Sequence, residues 1–349
     1  MSRAEVEEEL AAVEAGAAPE TLRQRGPIAR LVRTNVVWTL CVLLGLAAIF
    51  GALRPDAFVT PFNIRTIFSN AAIPLTLAVG MTFVIVTGGI DLSVGSVLVF
   101  AGVIAAKVMV AGGGAKAGWG TIALGAAAGI ATGAGWGVVN GILITKLRIP
   151  PLIATLGILG IALGLAEVIT NGSDIGAPNR LSDVVGNYLI AGQIPVIAVV
   201  AAGVALLFGW LLATTRFGRH TYAIGSNAEA ARRVGIKVDR HLIRVYMLSG
   251  GLAGVAGILN LAKFSTTTIA SHTEDNLSAI AGAVLGGTSL FGGSGTIAGT
   301  VVGVLIPAVV NDGLIIVGVQ QFWLFVAVGA VLIVAVFFDQ LRRRVRDRD

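Results

Sequence analysis

Residues 117–145 read AGWGTIALGAAAGIATGAGWGVVNGILIT, with Lys116 before them and Lys146 after them. No side chain in the run is charged. As an α-helix it exceeds the roughly 20 residues needed to cross the hydrocarbon core of a bilayer. Its glycines and alanines are the small residues that let membrane helices approach closely. This run reads as a transmembrane helix.

The pattern repeats along the chain. Other charge-free runs cover 34–53, 66–90, 92–106, 149–166, 184–215, 245–262, 276–311 and 313–338. The run 92–106 continues past Lys107 through Val108, Met109 and Val110. The run 276–311 is too long for one helix, and Gly286-Gly287 with Gly292-Gly293-Ser294-Gly295 divide it in two. The count is ten helices and the fold class is an all-α polytopic membrane protein. Composition agrees: 13% of the 349 residues are charged, 55% are hydrophobic and 47 are glycine. A soluble chain carries about 25% charged residues.

Basic residues set the orientation. With both termini inside, the inner segments gather Arg3, Arg23, Arg25, Arg30, Arg33, Lys146, Arg148, Arg216, Arg219, Arg232, Arg233, Lys237, Arg240, Arg244 and the tail arginines Arg342, Arg343, Arg344, Arg346 and Arg348. The outer segments hold only Arg54, Arg65, Lys107, Lys116, Arg180 and Lys263. The net charge of +6 thus belongs to membrane orientation, and nucleic acid is not an expected partner. Residues 1–33 read as a cytoplasmic tail without a signal peptide, 34–338 as the membrane domain with a cytoplasmic loop at 215–244, and 339–349 as a basic cytoplasmic tail.

No catalytic or metal site is expected. A phosphate-binding loop needs Gly-Lys-Ser/Thr, and none of Lys107, Lys116, Lys146, Lys237 or Lys263 follows a glycine. His220, His241 and His272 fall in loops at no ligand spacing, and Cys41 reads as a small apolar filler. Asp91, Glu167 and Asp312 fall near span ends and read as interfacial carboxylates. That leaves no mid-span carboxylate for an ion-coupled carrier. The neutral groups Asn70, Thr76, Thr82, Asn140, Thr155, Asn260 and Asn311, with Thr87, Asp91 and Ser93, are candidates for a path taken by an uncharged, hydroxyl-rich solute. Any single residue among them reads first as an interhelical hydrogen bond, and only the set as a whole as a path.

The loop 215–244 contains a short helix. Ser226 or Asn227 caps its start, Glu229 suits its first turn, and Ala228, Ala230 and Ala231 favour helix. Arg232 and Arg233 suit its last turn, followed by Val234, and Gly235 suits a left-handed stop. The alanine face reads as a docking surface for another protein or as an idle interfacial helix. Residues 86–96, with Gly88 and Gly89, echo residues 284–294, with Gly286, Gly287, Gly292 and Gly293. The echo reads as a repeated element or as two glycine-rich turns alike in composition.

Several motifs in this order resemble the permease subunits of ribose-type ABC importers. They are Gly80-Met81-Thr82, Thr87 to Gly95, Pro151 to Gly157, Thr215 to Arg219, the Gly225 to Ile236 helix, and Gly286 to Leu290 with Gly292-Gly293. The resemblance covers roughly residues 40 to 340. It implies that the helix after Gly225 couples to a cytoplasmic ATPase subunit, which binds ATP and magnesium, so that this chain needs no cofactor. It implies a second permease copy or related permease, an extracytoplasmic sugar-binding protein that sets most of the specificity, and a bacterial plasma membrane. One departure is Asn276-Leu277-Ser278, where the family often has an acidic segment. The expected function is import of a small neutral sugar or polyol. The rival readings are an ion-driven secondary transporter and an intramembrane enzyme.

Overall fold

The computed structural model describes residues 35–269 and 275–320, together with 323, 326, 329 and 330. The two tails, His272 and most of the run 313–338, where the tenth helix was expected, lie outside the described residues. The helices are α1 Asn35–Leu53, α2 Pro61–Val86, α3 Val94–Ala111, α4 Trp119–Thr145, α5 Pro151–Thr170, α6 Val196–Thr214, α7 Arg216–Ser226, α8 Ala228–Arg233, α9 Val238–Phe264, α10 Asp275–Leu285 and α11 Ile297–Val317. Among them eight, α1 to α6 with α9 and α11, are long and apolar enough to cross a membrane. The polytopic all-α class stands.

Helix α2 is the axis of the bundle. Every residue from Thr76 to Val86 is buried, as expected of a helix that is apolar all round. It packs against α9, α10, α11 and α6. Helices α1, α4, α5 and α6 turn Leu44, Leu124, Ile153 and Leu206 outward, where lipid tails are as apolar as the side chains.

Glycine sets the closest approaches. On α4, Gly125, Gly129, Gly133, Gly137 and Gly141 recur at every fourth position and so share one face. Gly125 and Gly129 meet α3 at Ala105 and Ala101. Gly133 meets Gly250 and Gly254 of α9, Gly137 meets Tyr246, and Gly141 meets Ile243. Gly282 of α10 and Gly286 just beyond its end likewise lie backbone to backbone on Gly303 and Gly299 of α11.

The structure corrects several boundaries. Spans do not stop at charges: Arg65, Glu167, Asp239, Arg240 and Arg244 lie inside helices near their ends, and Asp312 lies inside α11 with its side chain buried rather than at an interface. The run 184–215 opens with an antiparallel ladder, Leu189–Ile190 against Ile194–Pro195, before α6 begins. The division of 276–311 holds, but α10 has only 11 residues, half a crossing. Helix α7 was not foreseen, and α9 starts at Val238 rather than 245. His220 and His241 lie on helices, not loops, with ring centroids 5.9 Å apart. Cys41 is exposed on α1 rather than filling a core.

Candidate functional site

Two helices end by the same device. At the end of α2, Gly88 takes a left-handed conformation (φ 79°), and at the end of α10 Gly287 does the same (φ 87°). The amides of Gly88 and Gly89 return to Ile85 O and Val84 O at 2.8 and 3.0 Å. Those of Gly287 and Thr288 return to Val284 O and Ala283 O at 2.9 and 3.1 Å. This double return satisfies the last carbonyls of each helix. The echo read in the sequence is therefore a shared helix stop, but its structural register pairs Gly88 with Gly287, one position away from the sequence match. The two breaks also touch, since Gly293 N donates to Val86 O at 2.8 Å.

Beyond Gly88 the chain turns back into the bundle and carries Asp91 with it. Asp91 is 1% exposed. Its Oδ1 accepts from Ser93 N (3.0 Å) and Ser93 Oγ (2.6 Å), and its Oδ2 accepts from Ser249 Oγ at 3.3 Å. Asn140 Nδ2 donates to Ser93 Oγ at 2.8 Å, so Ser93 joins the break to α4 and Ser249 joins it to α9. Ser249 lies roughly 16 Å along α9 from Val238, at 1.5 Å per residue. Asp91 is thus a buried, hydrogen-bonded carboxylate between the end of α2 and the start of α3. The helix expected to run to residue 90 stops at Val86, so the acid rides on the returning segment. The hydroxyl of Tyr246 abuts Gly89 and has no hydrogen-bond partner among the described residues. Asn276 Oδ1 accepts from Gly95 N at 2.5 Å. The position that departs from the family pattern therefore holds α10 against the start of α3.

Below the breaks, α7 and α8 form an elbow. Thr215 Oγ1 caps α7 through Gly218 N, and Asn227 Oδ1 caps α8 through Ala230 N at 2.9 Å. Gly235 closes α8 with φ 87°. Thr215 caps the unforeseen α7, whereas the cap and stop of α8 fall on residues expected from sequence. The face of α8 does not. Ala231 is 3% exposed and packs inward on Ile224 and Val238, whereas Glu229, Ala230, Arg232, Arg233 and Val234 face outward. Arg233 pairs with Glu229, and Asp239 with Arg232 (3.3 Å) and Lys146 (3.5 Å). Such exposed pairs contribute about 0–1 kcal/mol each. Tyr222 Oη donates to Gly295 O at 2.7 Å. Burial raises its phenol above the ordinary value.

A family model described as "Branched-chain amino acid transport system / permease component" matches residues 63–337. The chain belongs to this permease family. The ribose import permease of Escherichia coli (strain K12) is 38% identical over 308 residues, covering 87% of this chain and 94% of the relative. The L-arabinose ABC transporter permease of Azospirillum brasilense is 35% identical over 325 residues, 93% of this chain and 92% of the relative. The ribose import permease of Bacillus subtilis (strain 168) is 40% identical over 299 residues, 84% and 89%. No solved structure matches. A permease moves its solute unchanged, so the chain is a transporter subunit and not an enzyme.

The path residues expected from sequence fall in separate places in this permease. Asp91, Ser93 and Asn140 share the network described above. Asn70 and Asn260 stand together at the opposite end of the bundle. There Lys263 Nζ donates to Asn70 Oδ1 at 2.7 Å, and Asn260 Nδ2 donates to Thr268 Oγ1 at 2.9 Å. Thr82 shares a 2.7 Å hydrogen bond with Thr300, joining α2 to α11. Thr76, Thr87 and Thr155 bond back to their own helices through Ala72 O, Val84 O and Pro151 O. Asn311 Oδ1 has no partner among the described residues. Ser249, Tyr246, Lys263 and Thr300 were missed. Ser249 beside Gly250-Gly251 in a charge-free run was the available signal.

Proposed function

We propose that the chain is the membrane-spanning subunit of an ABC importer that carries a small neutral sugar or polyol inward, driven by a separate ATPase subunit. Its relatives carry this reading: ribose and fructose import permeases, an L-arabinose ABC transporter permease and a D-allose transport system permease, each matched over most of its length. The hydroxyl and amide character of the interior polar groups suits such a solute. A second permease copy and an extracytoplasmic sugar-binding protein complete the assembly, in a bacterial plasma membrane. Vesicles holding the permease with its ATPase and binding protein are expected to accumulate labelled D-ribose or a related monosaccharide only with ATP inside the compartment facing the elbow. Uptake by the permease alone under an ion gradient would sink this reading in favour of a secondary transporter.

We infer that both termini and the elbow face the cytoplasm, with ten crossings in all. Lys146, Arg148, Arg216, Arg219, Arg232, Arg233, Lys237, Arg240 and Arg244 lie on the elbow side, which the positive-inside rule places within the cell. Gly225 and Ser182 are both unsuited as labelling sites, because Gly225 presses on Val86 and Ser182 is 4% exposed. Val234 (77% exposed) and Tyr188 (57% exposed) are suited. With Cys41 replaced by alanine and the permease expressed without its ATPase subunit, a cysteine at 188 is expected to react with an impermeant thiol reagent on intact cells, and one at 234 only after permeabilisation. The reverse pattern would invert the topology.

A further inference from the structure

Three backbone segments meet above α8 with almost no side chain between them. Val86 O accepts from Gly293 N at 2.8 Å. Gly225 presses on that same pair, so that a methyl group there would strike Val86 O and Gly293 N. A methyl group on Gly292 would stand 2.9 Å from both Gly225 O and Gly88 N. Tyr222, one turn earlier on α7, ties the far end of the second break through Gly295 O at 2.7 Å. Asn227, which caps α8, follows two residues after Gly225.

We propose that Tyr222 and Gly225 form a clasp through which a displacement of α8 moves both helix breaks together, so that α3 and α11 shift in one step rather than independently. The proposal rests on the reading that α8 receives the ATPase's stroke. Close-packed backbone has no slack to absorb a displacement, so the contact transmits it. A joint of this kind has a few discrete arrangements rather than a continuous range. From the Gly88 turn the movement reaches Asp91 and hence Ser93 and Ser249, which carry it to α4 and α9. Tyr222 acts through the turn that it holds and is a positioning residue.

Tyr222→Phe keeps the ring and removes the donor. The assay is sugar accumulated per ATP hydrolysed in vesicles holding permease, ATPase and binding protein, with ATPase affinity and melting temperature measured on the same preparations. In Tyr222→Phe the transport ratio is expected to fall about fivefold, the scale of one lost hydrogen bond on a two-state equilibrium, with affinity and melting temperature close to wild type. Gly293→Ala, whose new methyl would stand 2.8 Å from Ser226 Oγ at φ 76°, is expected to lower the ratio further. Tyr188→Phe in the outer loop keeps the wild-type ratio. An unchanged ratio in Tyr222→Phe overturns the clasp, and so does a lower melting temperature with the ratio intact, which makes the contact structural only. Wild-type vesicles without ATP-dependent uptake would instead overturn the transport reading beneath it.

Discussion

Gly133→Leu is expected to remove folded permease from the membrane. The added Cβ would lie on the Gly250 carbonyl and within contact of the Gly254 backbone, and neither can swing aside as a side-chain tip would. Overpacking a tight core costs about 1–3 kcal/mol and more where backbone must move, against a total margin of about 5–15 kcal/mol for an ordinary domain. The α4–α9 contact is also repeated at Gly137 and Gly141, so a shift at one level is transmitted to the next. Gly135→Leu is the matched control, since nothing stands within 4 Å of its Cβ position. The expected result is loss of monodisperse protein and a much lower melting temperature for Gly133→Leu, with Gly135→Leu near wild type. If the two variants melt alike, the glycine face does not set the helix spacing.

The second large effect is expected at Val234. It is an exposed aliphatic side chain, 77% accessible, on the outer face of α8 and flanked by Ala230, Arg232 and Arg233. An apolar anchor at the centre of a docking surface is worth about 2 kcal/mol, so Val234→Asp is expected to weaken ATPase association about 30-fold without harming the fold. Ala231→Trp is not the equivalent test. Ala231 packs beneath α8 on Ile224 and Val238, so a tryptophan there would disrupt the elbow itself. Titration of the ATPase subunit onto purified permease in nanodiscs gives the affinity, and the melting curve reports the fold. Wild-type affinity in Val234→Asp would remove α8 from the docking surface.

The relative weight of these two variants reflects what could be read from local sequence. The elbow's caps depend on residues three or four apart, and Asn227, Glu229, Arg232, Arg233 and Gly235 all stand where their neighbours required. Which face of α8 is free depends on Ile224 and Val238, contributed by two other helices, and the alanines alone did not show that Ala231 turns inward while Ala230 faces out. The five glycines of α4 were visible at fourfold spacing. Their partners were not, because Gly133 and Gly250 are far apart in the chain and nothing local couples them.

The sequence by itself determined that this chain crosses a membrane many times, the rough place of eight of its spans, and which loops carry the basic charge. The cost of placing charge in hydrocarbon is paid locally, residue by residue, and is therefore written in the order of residues. It also determined the positions of both helix breaks, because left-handed backbone selects glycine at Gly88 and Gly287. Only the tertiary structure decided that these breaks touch each other and the elbow, and that Asp91 is buried against Ser249 of α9. Those contacts join segments far apart in the sequence, and the energy that selects them arises only when the helices have packed.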